Sequence, residues 1–195
     1  MNLRTARFAA FALVFALLAG CATSGGRLVR PGPNPAGGNL TINSEMEWTR
    51  ASSLRYQAWT MDGDLLNLLY LIPSVRERDY IFLGERQTRR RPDGPFYHRG
   101  MRPDEIRDLV ADGLLRAGLV GVRTENLRPF DFGGREGLRF EWSASNSEGL
   151  YYQGQVAAFE HEKGLALAIF IAPREYYYPR DAAKVSRMLD TLRWK

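Results

Sequence analysis

The chain of 195 residues carries 27 lysine and arginine residues against 22 aspartate and glutamate residues, so its formal net charge is +5. Hydrophobic residues make up 45% of the sequence, which is too much for a disordered chain and enough for one core at this length. The single cysteine excludes an intramolecular disulfide and any metal site built from several thiolates.

The first twenty residues have the pattern of an export signal. Arg4 and Arg7 precede an uninterrupted apolar run over residues 8–18, and small residues follow that run. A positive start, an apolar run of about 7–15 residues and then small residues are typical of a secretory signal peptide. The run is shorter than the roughly 20 residues that a membrane-spanning helix needs. We therefore predict a signal peptide over residues 1–20, with a buried N-terminal helix as the alternative.

The residues Leu18-Ala19-Gly20-Cys21 resemble the lipobox of bacterial lipoproteins. The resemblance implies cleavage before Cys21, attachment of a diacylglycerol to its thiol and acylation of the new amino terminus, for example with palmitate. Two or three acyl chains hold a protein firmly on a bilayer, because each buried methylene contributes about 0.8 kcal/mol. Ala22 follows, in place of the aspartate associated with inner-membrane retention, which favours the outer membrane and a domain facing the periplasm. This compartment excludes nucleic acid as a partner.

Residues 21–39 are rich in glycine and proline and contain few apolar side chains. This composition predicts a flexible tether between the acylated cysteine and a single globular domain over residues 40–195. From Leu40 onward, apolar residues mostly alternate with polar ones, as in strands. A first strand or pair of strands is expected at residues 40–42 and 46–48, and a further strand at residues 54–59. Residues 65–72 are expected to form a strand because of their length and the turn before them, with a buried helix as the alternative.

A helix is predicted over residues 103–118, because apolar residues recur there at steps of three and four and Pro103 suits a first turn. Four strands are expected to follow, at residues 120–127, 137–145, 150–161 and 165–172. In the second of them the alternation predicts one buried face and one solvated face. A second amphipathic helix is expected over residues 180–194.

This order of elements predicts an α+β fold, an antiparallel sheet of six to seven strands flanked by two amphipathic helices. The order, together with the closing segment Met188-Leu189-Asp190-Thr191-Leu192-Arg193-Trp194, resembles the Mog1/PsbP-like α/β/α sandwich. The resemblance covers residues 40–195. It implies a non-enzymatic binding or assembly role.

The sequence contains no catalytic or cofactor-binding motif that we recognise. A nucleophile elbow, a phosphate-binding loop and a dinucleotide-binding glycine pattern all fail to occur. His161 stands between two glutamates near a strand end, and strand alternation directs its side chain away from both of them. We therefore predict no catalytic residues, no metal ligands and no cofactor, and we expect His161 in a solvated turn.

Residues 84–102, the basic segment, hold six arginines against two acidic residues, a net charge of +4. The chain after residue 20 has a net charge of only +3, so this segment carries all of its excess positive charge. Guanidinium groups and aromatic faces suit the recognition of phosphates and carboxylates. A solvated loop whose charges pair with surface acids is the alternative interpretation. The ligand-binding candidates are Arg89, Arg90, Arg91, Tyr97, His98 and Arg99.

The favoured function is that of a lipid-anchored, non-catalytic module that binds an envelope partner through the basic segment. The partner is expected to be an envelope protein, an anionic glycolipid or peptidoglycan. The alternative is a periplasm-facing hydrolase whose site lies near His98 and neighbouring carboxylates.

Overall fold

The structure, a computed structural model, describes residues 26–82, 86–90 and 92–195. The expected signal peptide, the lipobox with Cys21, and Arg91 lie outside these residues. The described elements are β1 (Arg27–Val29), β2 (Gly32–Pro35), β3 (Leu40–Ser44), β4 (Trp48–Ser52), β5 (Gln57–Thr60), β6 (Leu68–Val75), α1 (Pro103–Arg116), β7 (Val120–Asp131), β8 (Glu136–Ser145), β9 (Tyr151–His161), β10 (Gly164–Pro173), α2 (Tyr177–Asp190) and β11 (Arg193–Trp194).

Eight strands form one antiparallel sheet in the order β1-β4-β5-β6-β10-β9-β8-β7. This sheet is larger than the six to seven strands expected, because β1 joins it from the segment predicted to be a tether. A second, three-stranded sheet has the order β11-β3-β2. The predicted antiparallel sheet with two helices is therefore confirmed in its type, with a correction to its size.

The helices cover opposite faces of the main sheet, and β10 shows why. Its side chains alternate between two hydrophobic clusters. Leu165 and Leu167 belong to the cluster that contains the buried face of α1, whereas Ala166 and Ala168 belong to the cluster that contains α2. A strand buried on both faces is continuously apolar, as β10 is. The result is a three-layer α/β/α sandwich.

Residues 27–35 form two strands, in contrast to the flexible tether predicted over residues 21–39. β1 pairs with β4 and β2 pairs with β3. Val29 and Ala36 are buried in the core. The prolines of β2 are compatible with a strand because β2 lies at the edge of the small sheet, where one side of the backbone needs no partner. The folded region thus begins by residue 26 instead of residue 40.

The second helix begins and ends earlier than predicted. It spans Tyr177–Asp190, and the Thr191 hydroxyl bonds the carbonyl of Met188 at 2.6 Å while accepting the N–H of Asn43 at 2.8 Å. Arg193 and Trp194, expected within the helix, instead form β11 against β3. Neither helix of the described residues is long and apolar enough to cross a membrane.

Candidate functional site

The basic segment connects β6 to α1 and folds back on the residues that follow β6. The backbone N–H of Arg78 donates to the carbonyl of Tyr97 at 2.7 Å, and the N–H of Gln87 donates to the carbonyl of Arg78 at 2.8 Å. Isolated bridges join Asp79 to Arg86 and Tyr80 to Phe96. The described part of the segment is therefore fixed against the body of the protein at both of its ends.

Tyr97 is fully buried and fastens the segment to β9. Its hydroxyl donates to Oε1 of Glu160 at 2.6 Å, and the N–H of Gly100 donates to the same oxygen at 2.9 Å. Burial, followed by the hydrogen bond to Glu160, raises the pKa of the Tyr97 hydroxyl well above its usual range. The sequence suggested a ligand contact at Tyr97, and the structure instead buries this side chain inside the protein.

His98 and Arg99 also make contacts within the protein. Both residues contact the carboxylate of Glu77. Its Oε1 lies 2.9 Å from Nδ1 of His98, and its Oε2 accepts the backbone N–H of Arg99 at 2.8 Å. These two hydrogen bonds, that of Arg99 first, lower the pKa of the Glu77 carboxyl. The Arg99 guanidinium donates to the carbonyls of His161 at 3.2 Å and Glu162 at 3.0 Å. Arg99 therefore positions the segment on the β9–β10 turn.

Three described arginines earlier in the segment are directed to solvent. Arg86, Arg89 and Arg90 are exposed. Arg86 lies 3.9 Å from one oxygen of the buried Asp79. Within the described residues Arg89 and Arg90 have no ion-pair partner. Among the predicted ligand-binding residues, His98 and Arg99 are also exposed but contact Glu77 and the β9–β10 turn, so Arg89 and Arg90 are the described ones that remain open to a ligand. Arg86, which was not among those candidates, is exposed in the same segment.

His161 is buried, at 3% exposure, which corrects the prediction of a solvated turn. The N–H of Lys163 donates to its Nδ1 at 3.1 Å, so Nε2 carries the proton and donates to the carbonyl of Pro73 at 2.9 Å. Burial lowers the pKa of the imidazole, which favours this neutral form. No group of His, Cys, Asp and Glu side chains in the described part of the chain could hold a metal ion.

An apolar cleft of about 540 Å³, which the sequence did not indicate, lies between the end of α1 and the face of the sheet at β6 and β10. A second cavity of about 340 Å³ shares four of its lining residues with this cleft, namely Tyr56, Ile72, Ile81 and Phe82. The second cavity is also lined by Arg55, which is 2.5 Å from Asp79. We call the two together the apolar groove. Its walls come from separate segments, so no local pattern could have revealed it.

Comparison with known proteins shows the fold. No protein-family model and no curated protein sequence matches this chain. The structure is similar to the solution structure of cyanobacterial PsbP (CyanoP) from Synechocystis sp., with a TM-score of 0.54, 11% sequence identity, and coverage of 90% of this chain and 96% of that one. At this identity the likeness concerns the fold alone, and it confirms the PsbP-like sandwich.

Proposed function

We propose that the protein is a lipid-anchored, non-catalytic binding module of the bacterial envelope. It recognises an anionic envelope component through the exposed arginines of the basic segment. One observation carries the proposal: Tyr97 and Arg99 hold the segment in place by buried or backbone-directed contacts, while Arg86, Arg89 and Arg90 face solvent. A charged surface that is fixed before binding loses less conformational entropy when it meets its ligand.

The start of β1 and the start of the connection that holds the basic segment are at the same end of the main sheet. Arg27 of β1 pairs with Arg50 of the antiparallel β4, so the chain before Arg27 leads toward Ser52 and the β4–β5 connection. β6 ends at Val75 at this same end of the strands, because β4, β5 and β6 pair in antiparallel register. We call this end of the sheet the basic end. Only residues 22–26 separate Cys21 from β1, and an extended chain of that length reaches roughly 20 Å.

The histidines give no support to a hydrolase. Both ring nitrogens of His161 are hydrogen-bonded to the backbone, and Nδ1 of His98 contacts Glu77, which also holds the N–H of Arg99. In a nucleophilic site, a histidine needs a nitrogen directed at a hydroxyl or thiol. Neither histidine makes such a contact with a described side chain, so recognition is the function that the geometry supports best.

The test is photocrosslinking in intact cells, with the full chain carrying p-benzoylphenylalanine in place of Asp93. This residue is exposed within the basic segment. We expect an adduct whose mass spectrum identifies a protein, a glycolipid or peptidoglycan. The double variant Arg89→Ala/Arg90→Ala should weaken binding about thirtyfold and remove most of the adduct, since each arginine near an anionic surface contributes about 1 kcal/mol.

Two controls accompany this test. The same crosslinker at Glu148, in the exposed β8–β9 turn at the opposite end of the sheet, should give no such adduct. The variant Arg123→Ala/Arg174→Ala removes the same charge from exposed positions outside the basic segment and should leave the adduct unchanged. An adduct at position 93 that survives the loss of Arg89 and Arg90, or no adduct there at all, would overturn the proposal.

A further inference from the structure

The apolar groove runs along the sheet toward the basic end. Leu68, Tyr70 and Ile72 line it from alternate positions of β6, and four residues of a strand span about 13 Å. Ile169 and Ile171 line it from the neighbouring strand β10. The groove is therefore elongated, with walls that are aliphatic and aromatic along the length of two strands.

The two ends of the groove differ in charge. At the basic end, Arg55 lines the smaller cavity and binds Asp79, and Asp79 also lies near Arg86 of the basic segment. At the far end, the acidic Asp64 and the 77% exposed residue Leu65 line the cleft. A ligand that fits both ends has an apolar body and an anionic group at one extremity.

We propose that the apolar groove takes up one acyl chain of an anionic phospholipid from the membrane that carries the anchor. The phosphate then lies among Arg86, Arg89 and Arg90, and the chain extends toward Leu65. This inference rests on the proposed function, because it requires Cys21 to hold the basic end near that bilayer. It adds a ligand class and a site that the basic segment alone does not provide.

The energetics favour a single chain with a charged head. The main cleft has a volume within the range of about 300–1,000 Å³ found for small-molecule sites. Each methylene moved from water into such a cleft favours binding, but a chain leaving a bilayer is already in an apolar environment. The net preference for the groove must therefore come from the headgroup, and arginine suits phosphate because its guanidinium presents several N–H donors in one plane.

The experiment uses the full acylated chain in nanodiscs of phosphatidylcholine. A trace lipid with a diazirine at the end of one acyl chain is added, either as phosphatidylglycerol or as phosphatidylcholine, and the irradiated protein is digested for mass spectrometry. We expect the phosphatidylglycerol probe to label peptides of β6 and β10. Labelling of these peptides by the phosphatidylcholine probe should be lower by a factor of at least about five, because this lipid lacks net negative charge.

Two variants with matched controls separate the groove from its headgroup site. Leu65→Glu should reduce labelling about tenfold, since the acyl chain would have to desolvate a carboxylate, whereas Leu150→Glu places the same charge at an exposed leucine outside the groove and should have no effect. Arg86→Ala should reduce phosphatidylglycerol labelling about fivefold, and Arg123→Ala should not.

Equal labelling of β6 and β10 by the two probes, or no labelling there, would overturn the inference. In either case an adduct at position 93 that depends on Arg89 and Arg90 would leave the proposed function intact. Absence of that adduct together with absence of groove labelling would refute both proposals.

Discussion

The imidazole of His161 stacks on the indole of Trp194, with ring centroids 3.6 Å apart and an angle of 21° between the ring planes. The indole N–H donates to Oε1 of Glu162 at 2.8 Å, and Nζ of Lys163 lies 5.9 Å from the centroid of the same indole. The β9–β10 turn thereby holds the C-terminal strand β11 in place. The guanidinium of Arg99 in the basic segment donates to the backbone carbonyls of His161 and Glu162 in the same turn.

The buried imidazole of His161 predicts that the stability of the protein depends on pH. Burial lowers the pKa of His161 below that of a free imidazole, against the opposing effects of the Pro73 carbonyl and Glu162 and with a further lowering by Arg135 and Arg99. The unfolded chain therefore binds more protons than the folded chain as the pH falls below about 6.5, and the free energy of unfolding decreases there. We expect a lower urea midpoint at about pH 5.5 than at about pH 7.5.

The variant His161→Asn tests the assignment of this effect. It removes the titrating group, so the difference between the two urea midpoints should shrink, although the lost stacking lowers both midpoints. A difference as large as that of the unsubstituted protein would show that His161 is not the group responsible.

A second prediction concerns Arg139, which is 1% exposed on the face of β8 toward α2. Its guanidinium donates to the carbonyls of Val156 and Ser186 and to Gln155, and it pairs with Asp190. Arg139→Ala should lower the free energy of unfolding by about 3 kcal/mol, because buried acceptors and a carboxylate lose their donor.

Arg128→Ala is the matched control in a urea titration. Arg128 is exposed on the neighbouring strand, 3.4 Å from a carboxylate oxygen of Glu141, and such surface pairs contribute about 0–1 kcal/mol. Equal losses for the two variants would contradict the assigned role of Arg139.

A third prediction tests the anchor directly. The mature protein should begin at Cys21, incorporate radiolabelled palmitate and have an intact mass equal to residues 21–195 plus acyl groups. Cys21→Ser should incorporate no palmitate and keep residues 1–20, because the thiol is the acceptor on which the resemblance to a lipobox depends. Incorporation of palmitate by the serine variant would refute the anchor.

The helices and strands in which apolar residues recur at regular spacing were predictable from the sequence. β8 shows both the reach and the limit of this reasoning. Leu138, Phe140 and Trp142 alternate on the α1 side and are buried as expected. Arg139, on the face predicted to be solvated, is buried as well, because α2 covers that face. Alternation in the sequence predicts which face of the sheet a side chain lies on. Whether that face is buried depends on an element that is distant in sequence, here α2.

The basic segment and the apolar groove were predictable to different degrees. The charge of the segment was visible in the sequence, but the division between Tyr97 and Arg99, which position it, and Arg89 and Arg90, which face solvent, required the structure. The groove combines Tyr56, Tyr70 and Phe82 in an edge-to-face series. Pairing of β5 with β6 brings Tyr56 near Tyr70, whereas Phe82 comes from the connection after β6 and reaches them only through the folding of that connection.

Under the proposed acylation, the few residues between Cys21 and β1 would have a kinetic consequence. With Cys21 acylated, so short a spacer confines the domain to a thin layer above the lipid and reduces its search for partners to lateral diffusion in two dimensions. Ligands in that layer meet the basic end at an effective concentration on the order of millimolar, which is typical of short linkers. A weak intrinsic affinity is then sufficient for high occupancy, and molecules that never approach this surface are excluded by distance.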